Sequence, residues 1–299
     1  MALLDHAIAR VLPAVPKRLV RKLASPYIAG PTLEDAVRVV RRLNTEGKLA
    51  TIDVLGEEVT SAEEAGEIAR AYHRVLARIE GERLDANVSV KLTGLGLGLD
   101  YALCRDNLQS LVEDARVRSN FVRIDMEDSS TTDDTLRVYR DLRAAGYDNL
   151  GVVLQARLRR TITDAQGLEN VRLCKGIYLE PPDIAYEEPG EIRQSFRETL
   201  GVLLDQGTYV GIATHDEELI QDAVDQVRAR GLAPSAYELQ MLLGVRSQRG
   251  DELVRDGHGL RVYVPFGTHW YEYSVRRLQE NPRIAGHVAA DTMRRLARW

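Results

Sequence analysis

Lys91 in NVSVKLT (87–93) and Lys175 in VRLCKGIY (171–178) each lie in the later half of a run that otherwise reads as buried strand. A buried ammonium needs a partner to offset its desolvation. Either lysine alone could extend its stem to water or meet a carboxylate, but two in equivalent positions suit an anionic ligand. Asp125 in FVRIDME, Gln155 at the end of NLGVVLQ and Arg172 in VRLCKGIY put further polar groups into the same class of position. Any one of them could be a satisfied core group; together they converge from several different runs. Thr214-His215 closes another run, where Thr214 could equally cap the helix that EELIQDAV begins and leave His215 in a loop. Near the end, GTHWYEYSVRRLQEN places Tyr273, Arg276, Arg277 and Glu280 at i, i+3, i+4 and i+7, on one helix face. That face could be solvated, with an Arg276–Glu280 pair worth about 0.3–0.5 kcal/mol. Two adjacent guanidiniums beside aromatic rings suit a small carboxylate better, because arginine forks onto it.

These residues need elements to hold them, and the apolar pattern supplies a regular set. Short runs rich in Val and Ile recur at 49–55, 87–93, 121–127, 149–155, 171–178, 208–214, 236–242 and 260–266. Between them lie stretches with helical spacing, such as SAEEAGEIARAYHRVLARIE and EIRQSFRETLGVLLDQG. Strict alternation predicts parallel βαβ units, and eight strands at this spacing favour a closed (β/α)8 TIM barrel over an open doubly wound sheet. Two helical stretches precede the first strand. AYELQML (236–242) could also open a helix. No Pro/Gly/Ser-rich linker or repeat divides the chain, so 1–299 is expected to form one domain, with N-terminal helices over 1–45 and the barrel over 46–299. Barrel chemistry belongs at the C-terminal ends of the strands, where the candidate residues fall.

Composition excludes other classes. At 299 residues, 44% hydrophobic and 28% charged, the chain can bury a large core, and a net charge of −5 gives no basic excess for nucleic acid. The two cysteines, Cys104 and Cys174, have no paired metal spacing. GLGLGL (94–99) matches neither a dinucleotide nor a P-loop spacing and reads as a tight turn. No H-E-x-x-H is present, so no catalytic metal is expected. The first residues suit an amphipathic helix better than a signal peptide, and no run spans a bilayer. A cytoplasmic protein, touching a membrane at most peripherally at its inner face, is expected.

Seven segments, SVKLTGLGL, VRIDMED, VVLQA, VRLCKGIYLEP, ATHDEEL, YELQMLLGVR and VYVPFGTHWYEYSVRRLQEN, resemble in order the strand-end motifs of the proline dehydrogenase family across nearly the whole barrel. The family's Y-x-x-R-R-x-x-E signature reads here as Tyr273, Arg276, Arg277 and Glu280. The resemblance implies a distorted barrel whose last helix, after strand eight, lies over the strand C-terminal ends. It implies FAD as cofactor, L-proline as substrate and Δ1-pyrroline-5-carboxylate as product, by hydride transfer to flavin N5. It further implies a membrane quinone as electron acceptor. The next step, by a pyrroline-5-carboxylate dehydrogenase, would belong to a separate polypeptide.

Carried over residue by residue, the resemblance implies that Lys91, Arg276 and Arg277 hold the substrate carboxylate, with Glu280 on the same face. Tyr263, Tyr273 and Leu242 would enclose the pyrrolidine ring. Asp125 and Arg172 match positions treated as catalytic. Arg172 and Gln155 would address the flavin's reactive edge, while Met126, Lys175, Gly176, Ile177, Thr214 and His215 would hold other parts of FAD. Glu57 corresponds to a residue that pairs with the first arginine and closes the site. After Asn281, PRIAGHV lacks the aromatic often placed near the adenine. Two other readings compete: a barrel lyase or aldolase using Lys175 as a Schiff base, and a non-catalytic proline or flavin sensor.

Overall fold

The computed structural model describes residues 26–271 and 273. Helix α1 (Leu33–Thr45) opens at a reciprocal cap, in which Thr32 accepts from the Asp35 N–H and the Asp35 carboxylate accepts from the Thr32 N–H. The chain then alternates through β1 (Leu49–Val54), α2 (Ala62–Glu82), β2 (Ala86–Val90), α3 (Tyr101–Val117), β3 (Val122–Ile124), α4 (Thr132–Ala144) and β4 (Leu150–Gln155). It continues through the short α5 (Thr161–Asp164), β5 (Val171–Cys174), α6 (Pro189–Asp205), β6 (Val210–Ala213), α7 (Glu217–Ala229), β7 (Tyr237–Leu242), α8 (Ser247–Arg255) and β8 (Leu260–Phe266). Ser61, Asp100 and Asp216 cap α2, α3 and α7 with side-chain oxygens, and proline sits in the first turn of α6, where its missing N–H costs nothing.

The eight strands form a closed parallel barrel in chain order, sealed by β1 against β8 from Leu49↔Arg261 to Val54↔Phe266. All eight expected strands are present. The ambiguous 236–242 run is a strand because its polar residues alternate, with Glu238 and Gln240 on one face and Leu239 and Met241 on the other. GLGLGL begins as a 3₁₀ turn, Thr93–Leu95, and Gly96 takes a φ of 100° that a side chain would strain.

Alternate strand residues such as Ile52, Val88, Ile124, Val152, Leu173, Ile212 and Val264 are fully or almost fully buried in one apolar cluster with the helices. The intervening positions face the barrel lumen. Gly151 and Gly211 fall in that inward set and make room in it: a Cβ at 151 would strike the Asn170 carbonyl and the Arg123 guanidinium, and one at 211 the Gln240 carboxamide.

Of the two helices expected before β1, α1 lies within the described residues and 1–25 do not. The helix after β8 opens at Trp270. Arg276, Arg277 and Glu280 lie outside the described residues. Among the described residues no helix is long and apolar enough to cross a membrane, and no group of His, Cys, Asp or Glu could hold a metal ion.

Candidate active site

A cavity of about 590 Å³ opens at the C-terminal ends of the strands. Of the described residues singled out in the sequence, all but Glu57 line it: Lys91, Asp125, Met126, Gln155, Arg172, Lys175, Gly176, Ile177, Thr214, His215, Leu242, Tyr263 and Tyr273. They come from seven of the eight strands or the loops and helix beyond them. Glu57 lies in the loop after β1 and does not reach the wall.

The floor is an ionic network. Asp125, just past β3, accepts from Ser89 Oγ (2.6 Å) and Arg172 Nη1 (2.7 Å) on Oδ1 and from the Tyr263 hydroxyl (2.8 Å) on Oδ2. Lys91 Nζ donates to Asp53 Oδ1 (2.9 Å) and Tyr263 OH (3.2 Å) and stands 3.7 Å from Asp125 Oδ2. These bonds join β1, β2, β3, β5 and β8 across the lumen, which only closure of the sheet makes possible.

Burial would raise the Asp125 carboxyl, but Arg172 and Lys91, with bonds from Ser89 and Tyr263, hold it below the usual carboxylate range. Burial works against the Lys91 ammonium, yet Asp53 and Asp125 outweigh it and keep the group charged well beyond an ordinary lysine. Burial also lifts the Tyr263 phenol well above its usual value, with Asp125 and Asp53 adding to the effect, so it stays a neutral donor. The walls above are arranged by backbone contacts. Gln155 Nε2 donates to the Glu127 carbonyl (2.6 Å), which fixes the amide. Beside it Gly176 has φ 91°, and a Cβ there would come within 2.8 Å of Gln155 Oε1. His215 Nε2 accepts from the Leu242 N–H (2.9 Å), which places the ring proton on Nδ1.

Thr214 does not cap α7: Asp216 does, and Thr214 Oγ1 accepts from the Asp216 N–H (3.2 Å). The Lys175 ammonium meets Asp216 Oδ2 at 2.9 Å, with Arg193 Nε on the same oxygen at 2.8 Å. The Lys175 side chain is 41% exposed, and its ammonium is engaged by a carboxylate rather than left free toward the cavity as a Schiff-base amine would have to be. Asp53, Ser89, Gln240 and Asp216 escaped the sequence reading. The first three sit at inward positions that the strand alternation marks, Asp53 in step with Thr51 and Ser89 in step with Lys91.

A closed (β/α)8 barrel with a cavity over its strand C-termini that gathers charged side chains on a largely apolar wall is the architecture of a barrel enzyme. The chain belongs to the proline dehydrogenase family, whose sequence profile matches residues 36–290. It is 36% identical over 269 residues to proline dehydrogenase 1 of Bacillus subtilis (strain 168), covering 89% of each chain. It is 34% identical over 274 residues to the proline dehydrogenase of Deinococcus radiodurans, covering 89% of this chain and 88% of that one. Among solved structures, proline utilization A (PutA) from Bdellovibrio bacteriovorus, inactivated by N-propargylglycine, shares the fold with a TM-score of 0.83 at 23% identity, over 93% of this chain and 36% of that chain.

Proposed function

We propose that the protein oxidises L-proline to Δ1-pyrroline-5-carboxylate with FAD, passing the electrons to a quinone at a membrane surface and its product to a separate pyrroline-5-carboxylate dehydrogenase. In this reading it works in the cytoplasm, and 1–299 is one domain with helices over 1–45 and the barrel over 46–299. The observation that carries the reading is one nitrogen: Arg172 Nη2 is buried, has no partner, and belongs to a residue on the cavity wall. A buried N–H without an acceptor is costly, and an anionic edge would satisfy it. The donors around it suit FAD, with the Gln155 amide and Gly176 backbone beside Arg172, and Lys175, Thr214 and His215 farther along the wall.

When bound, FAD supplies the acceptor for the two electrons and hydrogen removed from proline. The chain's own residues bind and orient. Lys91, with Arg276 and Arg277 from the last helix, holds the substrate carboxylate, and Glu280 shares their helix face at the substrate site. Tyr263, Tyr273 and Leu242 pack the pyrrolidine ring and exclude water. Asp125 spends both oxygens on Ser89, Arg172 and Tyr263, and Arg172 and Lys91 lower its carboxyl against the effect of burial, so it anchors charges. Arg172 offers its free N–H to the negative charge that develops on reduction. Met126 and Ile177 hold other parts of FAD, and Glu57 closes the site by pairing with Arg276. The purified protein is expected to show a flavin absorption spectrum that bleaches on anaerobic addition of proline. A colourless protein would refute the reading.

A further inference from the structure

The Arg172 guanidinium is clamped from two directions. From above, Asp125 and Ser89 take Nη1 at 2.7 and 3.1 Å. From below, Gln240 Oε1 accepts from Nε at 2.5 Å. A carboxamide can present either end, but arginine has no acceptor, so only the oxygen serves here. The other end of Gln240 decides which way it faces: Nε2 donates to Glu238 Oε1 at 2.5 Å, and an ionised carboxylate only accepts.

Glu238, 2% exposed, is itself fixed by Arg261 Nε on Oε1 at 2.7 Å and by the Tyr209 hydroxyl on Oε2 at 2.9 Å. Burial would raise its carboxyl, but Arg261 and these bonds hold it below the usual range, so it stays ionised. Arg261 Nη1 closes the column on the Ala50 carbonyl at 2.7 Å. Glu238, Tyr209 and Arg261 line a different cavity, at the N-terminal ends of the strands, and cannot touch a ligand in the upper one. With Nε and Nη1 both taken, Nη2 is the one nitrogen of this guanidinium left buried without a partner.

We infer that Glu238, acting through Gln240 and braced by Arg261, is a positioning residue that aims the free N–H of Arg172 and so sets how far a reduced flavin is stabilised. The inference rests on the FAD reading above. Glu238→Gln replaces the acceptor-only group by one that can flip, freeing Gln240 and then Arg172 to turn. The test is the reduction potential of the bound flavin, measured by dye equilibration of the holoenzyme, in the parent and in an Arg172→Met background.

In the parent background Glu238→Gln should move the oxidised–reduced equilibrium about tenfold towards oxidised, about 30 mV for a two-electron couple. The proline KM should stay within about twofold. In Arg172→Met the same substitution should produce no shift, because the residue it acts through is gone. An unchanged potential in the folded, flavin-bound variant, or an equal shift in both backgrounds, would overturn the inference. Should loss of Arg261's carboxylate prevent Glu238→Gln from folding, Gln240→Met breaks the column at its middle and must give the same pattern. If no protein in the set binds flavin, the FAD reading fails; if flavin is bound and its potential does not move, the column alone fails.

Discussion

Each strand faces two interiors, and they are made of opposite materials. Towards the helices point Ile52, Val88, Ile124, Val152, Leu173, Ile212 and Val264, an apolar shell with almost no exposure. Towards the lumen point Asp53, Ser89, Arg123, Asp125, Arg172, Glu238, Gln240 and Arg261, a polar column. The interior of such a barrel is ordinarily filled by branched apolar side chains. Here it is filled by charges that satisfy one another incompletely. Arg123 is the extreme case: 3% exposed, it makes no ion pair among the described residues and gives Nη1 to the Val152 and Asn170 carbonyls. Burial, with Arg172 next, lowers its pKa to about 9. The shell therefore supplies stability through burial, while the lumen gives some of it up to hold charges in fixed directions.

Four substitutions test that division. Asp125→Asn should be the most damaging, because it leaves Arg172 buried without its carboxylate; removing one member of a buried pair costs about 3–5 kcal/mol, read from denaturant unfolding. The sign with pH follows from the lowered Asp125 carboxyl. Its contribution is complete above about pH 4, the value for an unfolded Asp, and is lost only as pH falls through the lower folded value. The stability difference between parent and Asp125→Asn should thus stay constant above about pH 4 and shrink as the pH falls below it. Arg172→Met should slow anaerobic flavin reduction by about 10²–10³ while moving the proline Kd far less; equal losses in both would misplace the residue. If Tyr263 packs the substrate ring as proposed, Tyr263→Ser should narrow the preference for proline over 4-hydroxyproline by about tenfold, since a hydroxyl there would need space; undiminished discrimination would remove ring packing as its basis. Ile124→Val, in the shell, should cost about 0.5–1.5 kcal/mol of stability and leave KM and flavin reduction as they were. A comparable effect on reduction would erase the distinction between shell and lumen.

The sequence carried the shell almost completely, because period-two runs of Val and Ile are local and strong. It carried the lumen only where a residue was conspicuous. Lys91, Arg172 and Asp125 stand out as charges in apolar runs, whereas Ser89 and Asp53 look ordinary until the sheet closes and brings five strands to one point. Glu238 and Gln240 shared the run that could have been a helix, and their partnership with Arg172, 68 residues away for Gln240, is a product of topology alone. The resemblance named wall residues that the cavity brings together, and it gave Glu57, in the loop after β1, a partner in Arg276, which lies outside the described residues. Asp216 was hidden by the question of which residue caps α7; it both caps the helix and receives Lys175 and Arg193.

Across the seal between β1 and β8, Arg261 Nη1 reaches the Ala50 carbonyl 211 positions away along the chain. The segment before α1 joins it there, with the Ala29 N–H on the Pro265 carbonyl at 2.9 Å and the Gly267 N–H on the Gly30 carbonyl at 3.0 Å. Tyr27 thereby reaches the cavity wall, and Ile28 packs with Leu55 and Tyr273. During synthesis the first strand must wait for the last, since contacts of such long range form late. The cavity's rim is thus held together by contacts between the two ends of the barrel, and a ligand that binds only the closed ring draws the folding equilibrium towards completion.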